Sequence, residues 1–119
     1  MPTLFRLDAS IRNEGSVTRA IADTLQSALV SDGADISLSR REIGLSPLPS
    51  TAWADAVFAP HTAPEQRTAS QTSSLQLATE LADELIKADA YVFALPFYNF
   101  GVSQHFKTWA DIVLTDPRL

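Results

Sequence analysis

A short apolar run that ends in a proline and an aromatic turn constrains the fold of this chain most strongly. The run Ala90–Leu95 shows no alternation of polar and apolar side chains, which predicts a strand buried on both faces of a sheet. Pro96 ends the run, the aromatic turn Phe97–Gly101 follows, and a helix-like segment starts at Ser103. A buried strand, a turn and a helix in this order are typical of an open α/β sheet, which binds ligands at the carboxyl ends of its strands.

The segments before this run also alternate between strand and helix. Thr3–Asp8 is the first predicted strand, and Asp35–Arg40 alternates as an edge strand with one buried face does. A helix is predicted from about Ser16 to Val30, with Ser16 as its N-cap and the segment Ser31-Asp32-Gly33 as its end. Apolar residues at steps of three and four predict its buried face: Val17, Ile21, Leu25, Ala28 and Leu29.

Two further helices complete the predicted order. The segment Arg41–His61 is a long irregular connection with one short helix, and Thr62–Glu65 matches a capping box that predicts a long helix to about Lys87. Its predicted buried stripe is Leu75, Ala78, Leu81, Ala82 and Leu85. The last helix runs from Ser103 to about Leu114, with Phe106, Trp109, Ala110 and Val113 on one side. The order β-α-β-α-β-α predicts a parallel sheet with right-handed crossovers.

Three strands do not complete a doubly wound sheet. The third predicted strand has the composition of a central strand, so its far edge requires a neighbour that residues 1–119 do not supply. We therefore expect these residues to be the N-terminal portion of a single larger domain.

The composition narrows the classes of partner. The net charge of −5 provides no broad positive field for nucleic acid, and the absence of cysteine removes disulfides, thiolate catalysis and cysteine-held metals. Two isolated histidines lack the spacing of metal ligands, so we expect no metal site. No run approaches the ~18 apolar residues of a membrane span and no secretory signal is visible, so we expect a cytoplasmic protein without a membrane partner.

The turn after the first strand is a candidate phosphate site. Ser10, Ser16 and Thr18 place hydroxyls around the start of a helix, where free amides and the helix dipole favour anions. Arg12 and Arg19 add local positive charge in an acidic chain. The alternative is structural, with Ser16 only capping the helix and Ser10 only turning the chain.

The aromatic turn is a candidate site for a flat ring with polar edges, such as a flavin. Its aromatic side chains can wall a ring, and Asn99 offers an amide for hydrogen bonds. The alternative is a hydrophobic turn beneath the last helix. If the strand order is 2-1-3, both turns fall at the switch point where such sheets bind ligands.

These residues also carry a resemblance to a known family. The loop from Ser10 to Thr18 and the block Pro96–Ser103, continued by Lys107–Asp111, resemble the FMN-dependent NADH-azoreductases and NADH:quinone oxidoreductases. The resemblance implies a flavodoxin-like fold of three α-β-α layers, truncated here relative to five strands. It also implies that the FMN phosphate lies among Ser10, Ser16, Val17 and Thr18, and that the isoalloxazine lies against Phe97, Tyr98, Asn99 and Phe100.

The resemblance implies an activity as well. NADH or NADPH would reduce the flavin by hydride transfer, and the flavin would then pass two electrons to a quinone or an azo compound. The cofactor carries this chemistry, so no catalytic side chain is assigned. A homodimer is implied, and Phe97 replaces the Met that is frequent at the first ring-contacting position.

Two other functions stay open at this point. The chain could serve only as a truncated flavodoxin-like module for binding or oligomerisation, without catalysis. A hydrolase is the third interpretation, because some similar proteins carry an acyl carrier protein phosphodiesterase label. The sequence shows neither a nucleophile motif nor a metal cluster to support hydrolysis.

Overall fold

The computed structural model describes residues 1–31, 33 and 35–119, which form an α/β structure in three layers. The helices of the described residues are α1 (Val17–Ser31), α2 (Ala52–Phe58), α3 (Ala69–Lys87) and α4 (Gln104–Val113). The strands are β1 (Thr3–Asp8), β2 (Ser37–Glu42), β3 (Ala90–Ala94), β4 (Phe97–Tyr98) and β5 (Gly101–Val102). Two 3-10 turns, Ala59–His61 and Pro64–Gln66, lie between α2 and α3.

The central sheet is parallel and has the order β2-β1-β3, as predicted. Asp8 at the end of β1 pairs with Glu42 of β2 on one side and with Ala94 of β3 on the other. The carboxyl ends of the three strands therefore lie in one row. β2 is an edge strand, as expected, but it begins at Ser37 rather than Asp35, because pairing with the N-terminal strand starts where the Ser37 amide donates to Pro2 O at 2.8 Å.

The apolar core lies on the sheet face that α3 and α4 cover. Phe5 and Leu7 of β1 are fully buried there. The predicted stripe of α3 is confirmed, with Ala78, Leu81 and Ala82 buried and Leu75 and Leu85 partly so. α4 presents its predicted face to the same core, where the Trp109 ring lies 5.7 Å from that of Phe93 and 5.6 Å from that of Phe106.

The start of α3 differs from the prediction. Thr62–Glu65 does not cap the helix, because the Thr62 hydroxyl donates to Phe58 O and Pro64 opens a separate 3-10 turn. The capping box lies at Thr68, whose hydroxyl accepts from the Gln71 amide at 3.0 Å while the Gln71 side chain accepts from the Thr68 amide at 3.0 Å. The prediction found the right motif type six residues too early.

The face of α1 that meets the sheet is polar, so the predicted apolar face is wrong. Val17 and Ile21 are 71% and 64% exposed, and Leu25, Ala28 and Leu29 are also exposed. A second helical stripe faces the sheet: Arg19 and Ala22 are buried, Gln26 is half-buried, and the exposed Asp23 reaches Arg6 with its carboxylate.

The cause of this orientation is a charged residue in the central strand. Arg6 of β1 is 1% exposed, and its Nη1 donates to Asp23 Oδ1 at 2.7 Å and to Gln26 Oε1 at 2.9 Å. Its Nε and Nη2 form a bidentate pair with Asp8. Desolvation alone would lower the pKa of Arg6, but the bonds to Asp8 and Asp23 outweigh it and hold the pKa above its ordinary value. A buried guanidinium needs such partners; Asp8 satisfies Nε and Nη2, and the polar stripe of α1 satisfies Nη1.

The prediction that β3 is covered on both faces is also wrong for the described chain. β3 is the open edge of the sheet, and Tyr91 and Phe93 are exposed. An apolar cavity of about 430 Å³ lies beside this edge, lined by Leu85, Ile86, Tyr91, Phe93 and Leu119. The radius of gyration is 16.0 Å, which is larger than the radius of about 13.5 Å expected for a compact domain of this length.

No helix of the described residues has both the length and the apolar character needed to cross a bilayer.

Alanine substitutions on the two faces of the sheet should differ strongly in their effect on the stability of the 119-residue chain. Leu81 is 0% exposed, so Leu81→Ala should lower the free energy of unfolding by about 2–5 kcal/mol. Ile21→Ala, at an exposed position of α1, should change it by less than about 0.5 kcal/mol. Urea unfolding followed by circular dichroism measures both values. A large loss of unfolding free energy for Ile21→Ala would contradict the finding that the apolar stripe of α1 faces solvent.

Candidate functional site

The two predicted turns touch each other. The Ile11 amide, just after β1, donates to the hydroxyl of Tyr98 at 3.0 Å, although 87 residues separate them in sequence. The Ala9 amide also donates to Ala94 O at 3.1 Å, which extends the β1–β3 ladder into the loop. The structure thus brings the hydroxyl-rich loop and the aromatic turn together at the carboxyl edge of the sheet.

The start of α1 presents free donors. The Ser16 hydroxyl accepts from the Arg19 amide at 3.3 Å, so Ser16 is the N-cap, as predicted. It also lies 3.3 Å from the Thr18 hydroxyl. The amides of Val17 and Thr18 have no acceptor among the described residues, as expected for the first turn of a helix. Two amides and two hydroxyls therefore surround the positive end of the α1 dipole.

Ser10 has a structural role in this loop. Its side chain is buried, and its hydroxyl accepts from the Arg12 amide at 3.2 Å, which closes a tight turn. Ser10 therefore turns the chain, and a contact of Ser10 with a ligand stays a prediction.

The two arginines of the loop have different environments. Arg12 is exposed, so its charge is available to an anion, as predicted. Arg19 also adds local positive charge, as predicted, but it is only 7% exposed and its charge is paired with Glu42 rather than open to a ligand. Its guanidinium donates to the carbonyl oxygens of Ser10 and Arg12, each at 2.7 Å, and to the carboxylate of Glu42.

Glu42, at the end of β2, is the carboxylate partner of Arg19. Its Oε2 accepts from the amides of Gly44 and Leu45, both at 2.8 Å, and its Oε1 accepts from Arg19. Burial alone would raise the pKa of Glu42, but the bond from Arg19 and the two amides outweigh it and hold the pKa below the ordinary value. Glu42 is therefore an anion held in place, and nothing in the sequence pattern singled it out.

The aromatic turn is a β-hairpin, which was not predicted. β4 and β5 pair antiparallel, with Phe97 opposite Val102 and Tyr98 opposite Gly101. Asn99 and Phe100 form the two-residue loop, and both have positive φ, at 52° and 61°. Such loops favour an Asn-Gly pair, so the Asn was a usable signal, but Phe100 in place of glycine concealed it.

The hairpin presents its rings to solvent. Phe97 is 81% exposed and Phe100 is fully exposed, while Tyr98 is held against the first loop. Phe97, Asn99 and Phe100 line an open cavity of about 540 Å³, within the ~300–1,000 Å³ of small-molecule sites. Two apolar rings with one amide between them suit a planar heterocycle.

The free donors and the exposed rings together fit a mononucleotide with a flat base. The phosphate would meet amides and hydroxyls at the start of α1, and the ring would meet the hairpin. The described residues contain no group of three or more His, Cys, Asp or Glu side chains placed to hold a metal ion. This edge of the sheet therefore joins a loop with free hydrogen-bond donors to a hairpin with exposed aromatic rings.

Comparisons with known proteins agree with this geometry. A family model described as flavodoxin-like fold matches residues 2–118. The chain belongs to the flavodoxin-like fold family.

Individual members of the family are close in sequence. The chain is 40% identical over 114 residues to the FMN-dependent NADH:quinone oxidoreductase of Frankia alni, covering 96% of this chain and 54% of that protein. It is 41% identical over 110 residues to the same enzyme of Thiobacillus denitrificans, covering 92% of this chain and 52% of that protein. The chain thus spans about half the length of the curated relatives it matches.

A solved structure shows the same fold. The crystal structure of an azoreductase from Bacillus anthracis superposes with a TM-score of 0.77 at 15% identity, covering 95% of this chain and 55% of that one. The flavodoxin-like fold predicted from the resemblance is confirmed.

The bond between the two loops predicts a selective effect of losing one hydroxyl. Tyr98→Phe removes the acceptor of the Ile11 amide and should lower the free energy of unfolding by about 0.5–1.5 kcal/mol. It should also weaken the binding of a mononucleotide ligand, because the loops are no longer tied together. Fluorescence titration measures the affinity.

Tyr91→Phe is the matched control for this experiment. The Tyr91 hydroxyl donates to Leu85 O and Ala88 O near the opposite end of β3. Its loss should lower stability by a similar amount and leave the affinity for the mononucleotide unchanged. Equal affinity losses in both variants would contradict a role for the Tyr98–Ile11 bond.

The lowered pKa of Glu42 predicts a pH-dependent stability. A carboxylate with a depressed pKa in the folded state stabilises the protein above its ordinary pKa of 4.5, and this contribution is lost as pH falls through the folded pKa. Wild type should therefore exceed Glu42→Gln in free energy of unfolding near neutral pH, and the difference should vanish in acid. Urea unfolding at several pH values measures it.

Glu65→Gln, at an exposed carboxylate, serves as the control. Its difference from wild type should stay small at every pH. A Glu42→Gln difference that does not change with pH would show that the Arg19–Glu42 pair does not hold the carboxylate charged.

Proposed function

We propose that the protein containing this chain is an FMN-dependent NAD(P)H oxidoreductase that reduces quinones or azo compounds. The observation that carries the proposal is the hydrogen bond from the Ile11 amide to the Tyr98 hydroxyl, because it joins an anion-binding helix start to an aromatic hairpin. The names of the similar proteins, an FMN-dependent NADH:quinone oxidoreductase and an azoreductase, support the cofactor and the reaction class.

The phosphate of FMN is assigned to the first loop. The amides of Val17 and Thr18 and the hydroxyls of Ser16 and Thr18 are the donors, with exposed Arg12 nearby in the loop. Ser10 shapes the turn that precedes them. A phosphate here would be bound by local groups, although the chain as a whole carries a charge of −5.

The isoalloxazine is assigned to the hairpin. Phe97 and Phe100 offer ring faces, Asn99 offers an amide, and Tyr98 fixes the hairpin to the phosphate loop. Bound FMN would supply reversible two-electron transfer between a nicotinamide and a quinone or azo acceptor. The side chains hold and orient the ring, so we assign no acid, base or nucleophile.

We further propose a homodimeric, cytoplasmic protein. The exposed rings of the hairpin and the exposed edge of β3 leave the flavin site open on one side. A second subunit beside the hairpin would close it and exclude water from the ring. Sedimentation velocity of the FMN-loaded protein measures the oligomeric state.

A spectrum and an assay test the function. The purified protein should be yellow or should bind added FMN, and it should oxidise NADH or NADPH when a quinone or azo dye is present. A colourless protein that ignores added FMN would reject the proposal and favour a module that serves only binding or oligomerisation. Removal of phosphopantetheine from an added carrier protein would instead favour a hydrolase.

The hairpin rings predict a ring-specific loss of affinity. Phe97→Ala and Phe100→Ala should each weaken FMN binding by roughly 0.5–1.5 kcal/mol, the usual worth of an aromatic pair. Phe58→Ala, at an exposed ring on α2, is the matched control and should leave FMN affinity unchanged. Equal affinities in all three variants would place the isoalloxazine away from the hairpin.

A further inference from the structure

Arg19 does not face the predicted phosphate site, yet it contacts the backbone of the loop that forms it. Its Nη2 donates to Ser10 O and its Nε to Arg12 O, each at 2.7 Å. These two carbonyls belong to peptide units whose N–H groups are those of Ile11 and Asn13. Because a trans peptide is planar, its N–H points opposite to its C=O. Arg19 therefore draws two carbonyls inward and turns two amides outward.

One of these peptide units is held at both ends. Arg19 binds the carbonyl of Ser10, and Tyr98 accepts from the amide of Ile11 in the same unit. The Asn13 amide, turned outward by the second contact, has no acceptor in the part of the chain that the structure describes. Loss of Arg19 would let the carbonyl oxygens rotate toward an anion, which they repel.

Glu42 and Gly44 fix the positions of Arg19 and of the loop after β1. Glu42 accepts from Arg19 and from two amides that follow β2. A Cβ on Gly44 would lie 2.0 Å from Ser10 O, so the backbone after β2 packs directly against the same carbonyl that Arg19 holds. We call Arg19, Glu42 and Gly44 the loop clamp.

The surrounding charges favour a geometric role over an electrostatic one. Three guanidinium groups and three carboxylates form the network under α1, so their formal charges cancel: Arg6, Arg19, Arg40, Asp8, Asp23 and Glu42. Arg19 itself lies within 3.9 Å of Asp8 in addition to its pair with Glu42. A neutralised network attracts a phosphate weakly, whereas two fixed peptide units shape its site.

We propose that Arg19, oriented by Glu42, is a positioning residue that makes this loop selective for the phosphate of FMN. The inference rests on the proposed function, because it assigns the phosphate to this loop. It predicts that the clamp affects only the part of flavin binding that the phosphate contributes. The ring, held by the hairpin, should bind as before.

The experiment compares FMN with riboflavin, which has the same ring and no phosphate, in variants of the full natural chain. Fluorescence titration gives the ratio of the two dissociation constants. Arg19→Gln should lower this phosphate preference about tenfold, the equivalent of 1.4 kcal/mol, and leave riboflavin affinity unchanged. Arg19→Lys, which keeps the charge but lacks the planar fork, should lose it too.

Two further variants separate geometry from charge. Glu42→Gln should lower the phosphate preference, because Arg19 loses its anchor; if only charge mattered, removal of a nearby anion would raise it. Arg40→Gln is the matched control, since Arg40 also binds Asp8 from the same face of the sheet but makes no hydrogen bond or ion pair with the loop among the residues that the structure describes. Its phosphate preference should equal that of wild type.

Hydrogen exchange of the backbone amides tests the loop clamp in the absence of flavin. The Ile11 amide should exchange faster in Arg19→Gln and Glu42→Gln than in wild type or Arg40→Gln. If Arg19→Gln does not fold, Glu42→Gln and Arg19→Lys decide.

The flavin titrations separate failure of the positioning role from failure of the proposed function. Retained phosphate preference in Arg19→Lys, or increased preference in Glu42→Gln, overturns the positioning role while the proposed function stands. A wild type that binds neither flavin overturns both.

Discussion

The carboxylate of Asp8 is the constraint on which the rest of the structure depends. It is fully buried at the end of β1, where an unpaired charge would cost several kcal/mol. Arg6 pairs with it in bidentate fashion, Arg40 donates to it from β2, and Arg19 approaches it from α1. One carboxylate thus ties together two strands and a helix. The layer under α1 is ionic, while the opposite face of the sheet is apolar.

This ionic layer explains why sequence periodicity failed on α1. Two stripes share the helix, one apolar through Ile21 and Leu25 and one polar through Asp23 and Gln26. Periodicity ranks the apolar stripe as the buried one, because it considers the helix alone. The decisive residue, Arg6, lies in a different element and requires polar partners. α3 instead lies on the apolar side of the sheet, and its apolar stripe is buried as predicted.

The position of the site was more predictable than its internal construction. The order of elements fixes which strands are neighbours, so the meeting of the turns after β1 and β3 followed from the sequence and is confirmed by the Tyr98–Ile11 bond. The hairpin was missed because Phe100 occupies a position that usually carries glycine. The inward turn of Arg19 was missed because its partner Glu42 is 23 residues away in sequence and on another strand.

The left-handed backbone of Phe100 sets a limit on how this chain can be stabilised. At φ 61° a residue with a Cβ carries strain on the order of 1–2 kcal/mol, which glycine would relieve. A search for thermostability would therefore favour glycine at this position, whereas the proposed contact with the flavin ring requires the aromatic side chain. Under that proposal, stability and ligand binding would compete at one residue.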